Sequence, residues 1–76
     1  MKEFLEFIAK HLVDNPEAIV LEHETRDDRL VFRLRVDAAD VGKVIGRNGK
    51  TASALRVLLT AVAAKQGKRA SLEIAD

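Results

Sequence analysis

The chain has 76 residues, 47% hydrophobic and 33% charged, with no cysteine and a formal net charge of +1. A chain this short has room for one domain and buries only about 60% of the surface its unfolded form exposes. The missing cysteine excludes disulfides, thiolate metal sites and cysteine catalysis. No signal-peptide core and no run of about 18 apolar residues is present, so a cytoplasmic location and no membrane partner are expected.

In chain order, residues 2–14 read as an amphipathic helix, with Phe4, Ile8 and Leu12 at helical spacing, Leu5 and Ala9 widening the stripe, and Lys2, Glu6 and Lys10 polar. Phe7 and Val13 broaden the apolar sector, and Phe4, Phe7 and Phe32 are all expected on core stripes. Asn15-Pro16 ends the helix, because the residue before proline is biased away from the α region. Glu17 to Thr25 is a strand centred on Ile19-Val20-Leu21. After the polar turn Arg26-Asp27-Asp28, residues Arg29 to Val36 alternate. Leu30, Phe32, Leu34 and Val36 fall on one face, and Arg29, Val31, Arg33 and Arg35 on the other. These two strands should form an antiparallel hairpin, with Glu22 or Glu24 balancing Arg33 and Arg35.

Asp37 or Asp40 caps a short helix that runs through Val41, Val44 and Ile45 toward a glycine turn. Lys50 to Lys65 is the strongest helix, with Leu55, Leu58, Leu59 and Val62 as its core stripe and Gly67 as its stop. Ala70 to Ala75 is a last strand, and the crossover rule makes it parallel to the Arg29–Val36 strand. The expected architecture is α+β in the order α-β-β-α-α-β. Three helices cover one face of a three-stranded mixed sheet, and residues 1–76 form a single domain.

Chemistry concentrates in Val41–Lys50, VGKVIGRNGK. Glycine reaches left-handed backbone without steric cost and lets a ligand approach the main chain. A helix starting just after such a turn directs free N–H groups and a positive dipole end at whatever fills it. Lys50, in the first turn of that helix, opposes the dipole, which makes sense if an anion visits the site. Charge is segregated in the same sense. Residues 1–40 hold six Lys/Arg and ten Asp/Glu, whereas residues 41–72 hold seven Lys/Arg and no acid. That is the pattern a polyanion-binding half requires.

Val44-Ile45-Gly46-Arg47-Asn48-Gly49 resembles the VIGxxG signature of KH domains, in which a GxxG loop joins two helices, and the element order is that of their type II, bacterial form. Together with Leu12-Val13-Asp14-Asn15-Pro16-Glu17-Ala18, the whole chain is similar to the KhpA-like family of small stand-alone bacterial KH proteins. The resemblance implies binding of single-stranded RNA in a groove for about four nucleotides, with the loop clamping the backbone. Gly46 and Gly49 would permit the turn, Arg47 and Asn48 would project from it, and Lys43 and Lys50 would add positive potential. Val44 and Ile45, with Val36, would floor the groove under the bases. Many KH domains carry isoleucine where this chain has Ala52, which would make the groove shallower. Lys65, Lys68 and Arg69 read as a solvated loop. The resemblance also implies a homodimer, or a pairing with a larger KhpB/Jag-type KH protein. It further implies a role in post-transcriptional regulation or as an RNA chaperone, with links to cell shape and division.

Alternatives are a helix-turn-helix reader of duplex DNA and a protein-interaction domain whose glycine turn is structural. Aromatic stacking platforms are not expected, since the chain has no Trp or Tyr. His11 and His23 are isolated, the hydroxyl residues have no base partner, and the P-loop spacing is missing. No enzyme activity, small-molecule substrate, cofactor or metal is expected.

Overall fold

Helix α1 (Lys2–Leu12) turns Leu5 and Ala9 fully inward and packs Phe4, Ile8 and Leu12 partly against the core. Glu3 in its first turn and Lys10 and His11 in its last suit the helix dipole. Phe7 does not join the core. It is 61% exposed and stacks on His11, with ring centroids 4.4 Å apart. The expected three-phenylalanine core therefore holds only Phe32 and part of Phe4. The cause is angular, because Phe7 lies about 200° around the helix from Leu5 and Ala9.

The computed structural model describes residues 1–76. After α1 the chain turns at Asn15, and Pro16–Ala18 form one 3-10 turn in place of the expected start of a strand. Proline suits this first position because its φ is preset and its missing N–H would have no partner. The Asn15 and Pro16 carbonyls accept from Ala18 and Ile19. Strand β1 (Val20–Arg26) then pairs antiparallel with β2 (Arg29–Arg35) through a tight turn at Asp27-Asp28. Asp27 takes a positive φ of 54°, which aspartate tolerates better than most residues.

A short 3-10 turn, α2 (Val41–Ile45) and α3 (Lys50–Lys65) carry the chain across to β3 (Arg69–Ala75). β3 lies parallel to β2, giving the strand order β1-β2-β3. The core lies between this sheet and the helices and is built from Leu5, Ala9 and Val13 of the first segment, Phe32, Leu34 and Val36 after it, then Val44, Leu55, Leu59 and Leu72. Each large side chain so buried contributes about 1.5–3 kcal/mol.

On α3 the buried stripe is Ala52, Leu55, Leu59 and Ala63. Leu58, expected in that stripe, is 49% exposed, and its neighbour Val57 is 65% exposed. The spacing 52-55-59-63 already fills the inward arc, so Leu58 falls on the flank. The outer face of the sheet is a ladder of ion pairs. Arg33 bonds Glu24 at 2.9 Å and Glu73 at 3.1 Å, Arg26 pairs with Glu24, and Arg35 lies 3.9 Å from Glu22. Arg33 and Arg35 are thus balanced, as their spacing predicts, and exposed pairs of this kind add little stability.

Candidate nucleic-acid interface

The backbone between α2 and α3 is bent by three residues of positive φ within four positions. Gly46 lies at φ 78°, ψ 174°, Asn48 at φ 55°, ψ 28°, and Gly49 at φ 73°, ψ 11°. The Gly46 combination is open essentially to glycine alone. A Cβ at Gly46 would also fall 2.2 Å from Thr51 Oγ1 and 2.9 Å from the Thr51 amide nitrogen. Gly49 adopts ordinary left-handed backbone and faces open space. The turn is closed by its own amides: Gly46 N–H donates to Gly42 O at 2.9 Å and Gly49 N–H to Gly46 O at 3.1 Å.

The side chains of Arg47, Asn48 and Lys50 are exposed and take part in none of the protein's ion pairs or side-chain hydrogen bonds. No side chain caps the start of α3; its first amide, Lys50 N–H, donates to the Arg47 carbonyl of the turn. The result is a turn with exposed side-chain donors at Arg47, Asn48 and Lys50 and, at Gly49, main chain with open space where a Cβ would stand. Such a surface suits a phosphodiester.

Lys43 is placed differently from the expectation of a free charge beside this turn. Its ammonium donates to Asp14 and, at 3.0 Å, to Asp40 Oδ1. The bond to Asp14, then that to Asp40, raises the Lys43 pKa. Val44 is completely buried (0% exposed) and Val36 nearly so, so both are core residues and neither presents the surface expected of a groove floor. Ile45, half-buried, is the one residue of the expected floor that reaches the surface. Ala52 is buried and closes the interior at the position where the groove would be lined. Lys65 and Lys68 lie at or beyond the far end of α3, about 24 Å from the turn.

Two residues take part in the geometry in ways their sequence positions do not show, Thr51 beside the turn and Asp40, expected only as a cap. Thr51 is the surface against which Gly46 packs. Asp40, 2% exposed, accepts from the Asn15 amide at 3.0 Å and from Lys43. Burial alone pushes the Asp40 carboxyl up, but the amides of Asn15 and Asp14 and the Lys43 ammonium outweigh it, so its pKa lies below the ordinary value. It is therefore a carboxylate at neutral pH.

A family model described as KhpA/KhpB, KH domain, matches residues 2–74. The chain belongs to this KH-domain family. Among its relatives, the RNA-binding protein KhpA of Aquifex aeolicus is 45% identical over 76 residues, covering 100% of this chain and 96% of the relative. The RNA-binding protein KhpA of Borreliella burgdorferi is 46% identical over 74 residues, 97% of this chain and 90% of the relative. That of Chlamydia trachomatis is 42% identical over 76 residues, 100% and 97% of the two chains. The α-β-β-α-α-β order and mixed sheet of this KH domain fit the assignment. The GxxG segment of this KH domain is Gly46–Gly49, between two helices as the signature requires. No helix of this KH domain is long and apolar enough to cross a membrane.

Proposed function

We propose that this KH domain binds single-stranded RNA, with the Gly46–Gly49 turn clamping the sugar-phosphate backbone. Arg47 donates as a charge, Asn48 as an amide, Lys50 adds positive potential, and Ile45 faces the bases. The observation that carries this reading is the turn itself: three residues of positive φ in four, exposed unpaired Arg47 and Asn48, and a helix start behind them with no side-chain cap. The relatives' description as RNA-binding proteins supports it. A duplex-DNA reader is disfavoured because α2 has five residues and because, beyond Arg56, α3 turns mainly alanines, Val57 and Leu58 outward, with the Thr60 hydroxyl donating to the Arg56 carbonyl.

One such site contacts few phosphates and binds weakly, on the order of micromolar. A second linked site raises the effective concentration. Ala54, Val57, Leu58 and Ala61 are all exposed and spaced to form one stripe on α3. Two such stripes pack on each other, small residues against large, so the second site is supplied by a second copy. The KhpA/KhpB description of the family supports pairing with a larger KhpB/Jag-type KH protein as well. In the cytoplasm such a pair acts in post-transcriptional control or as an RNA chaperone.

Fluorescence anisotropy of a labelled mixed-sequence single-stranded RNA tests the clamp. Affinity should fall with salt at a log–log slope of about −0.7 per phosphate contacted, and unlabelled duplex DNA should compete poorly. Salt-independent binding, or equal competition by duplex, would refute it. For the pairing, sedimentation should show Leu58→Glu as a monomer under conditions where the native chain is dimeric. At concentrations where both chains are monomeric its thermal stability should differ from native by less than about 0.5 kcal/mol, because the side chain is half exposed in the single chain.

A further inference from the structure

Asp40 is the one charged residue buried in this protein, and it occupies the N-cap position of α2 without bonding any amide of that helix. An aspartate there ordinarily accepts from its own first turn. Its Oδ2 reaches 25 residues back instead, to accept from the Asn15 amide, while Oδ1 accepts from Nζ of Lys43 within α2. Lys43 Nζ donates also to Asp14, and Asn15 Nδ2 donates to Asp37 Oδ2 at 3.3 Å. The corner Asp14-Asn15-Pro16 is shaped for this. α1 has ended at Leu12, Pro16 starts the next turn, and the Asn15 N–H is left free to point at Asp40.

The tie matters because of the helix it holds. α2 is five residues long, too short to hold its own conformation, and it ends directly at Gly46. Val44 is its only fully buried side chain, and Val41 packs partly against the core beside it, so its apolar hold is small and carries little direction. The polar tie adds bonds of defined direction at the start of the helix. We infer that Asp40, with Asn15 and Lys43, is the positioning device of the phosphate turn, fixing the start of α2 to the corner after α1 so that Gly46–Gly49 stands in its binding geometry before RNA arrives. The inference rests on the RNA-clamp reading above. It gives Lys43 a part in binding without contact to phosphate.

The variants are Asp40→Asn, which keeps shape and removes the charge, and Lys43→Met, which keeps the stem and removes the ammonium. Hydrogen exchange of the bonded amides of Gly46, Gly49 and Lys50 is compared with that of Phe32 and Leu34 in β2. Both variants should exchange the turn amides about tenfold faster while β2 is unchanged. RNA affinity should fall about fivefold, because fewer molecules hold the competent geometry. The salt slope should stay native, because no phosphate contact is removed. Lys43→Arg, which can keep both ion pairs, should restore affinity. Native exchange in the turn overturns the inference, as does weaker affinity with a shallower salt slope, which would make Lys43 a phosphate ligand. Should Asp40→Asn unfold, Lys43→Met decides alone. If the native chain binds no RNA, the clamp reading fails, while the exchange comparison still decides whether Asp40 holds the turn.

Discussion

Gly46→Ala is expected to cost roughly 3 kcal/mol or more of stability and to abolish RNA binding. Two separate penalties add. The backbone at φ 78°, ψ 174° is closed to an L side chain, and the new methyl would lie 2.6 Å from Thr51 Cβ and 2.9 Å from its backbone nitrogen. A domain of this size has only about 4–11 kcal/mol in total. The variant therefore either unfolds at much lower urea or relieves itself by moving the turn, and in both cases the clamp is lost. Gly49→Ala is the control, since φ 73°, ψ 11° is merely left-handed and nothing lies within 4 Å. It should cost about 1 kcal/mol. Thr51→Ala should not rescue Gly46→Ala, because the Thr51 Cβ and nitrogen remain where they are. Urea unfolding of the four proteins checks the series; equal stability for the two glycine variants would contradict the geometry.

The Arg47→Asp/Asn48→Asp double variant should leave stability within about 0.5 kcal/mol of native while lowering RNA affinity more than about a hundredfold. Neither side chain makes a bond to lose, and aspartate tolerates the left-handed backbone at position 48. The change moves the turn by three charge units toward negative at the phosphate contact. At about 4 Å each unit is worth about 1 kcal/mol even at the dielectric constant of water. Native-like unfolding together with undetectable anisotropy change is the expected pair of results. Retained binding would mean that the basic residues elsewhere in 41–72 carry the affinity and that the turn is a helix junction only.

Much of this was legible in the sequence, and what was missed has physical causes. The glycine pair between two helical patterns located the turn, and the strict alternation of Arg29–Val36 set the central strand and the ion-paired outer face. Glu17-Ala18 reads as the start of a strand because β-favouring residues come directly after it, whereas Pro16 and local amide bonds draw both residues into a 3-10 turn. Leu58 and Phe7 were placed in the core on apolarity alone. Leu58 lies on the flank of an arc already filled by neighbours on its own helix, and Phe7 on the side of α1 opposite Leu5 and Ala9. Asp40 could be read only as a cap, since its true partner lies 25 residues away. Lys43 likewise looked like a free cation until the fold brought Asp14 to it. Long-range polar pairs leave no periodicity to read.

The parallel register joins Arg29 to Arg69 and Arg35 to Ala75, so β2 waits 40 residues for its second neighbour. The hairpin and helices can form from contacts near in sequence, but this pairing must close a long loop before any of it is rewarded, which makes it the slow step of folding. The glycine turn lies inside that loop, and both α2 and α3 pack on β3. Competence of the turn is thus gated by arrival of the last strand. A nascent chain that has not yet docked β3 can form its hairpin and much of α3 from local contacts, while α2 and the glycine turn still lack the strand that seats them.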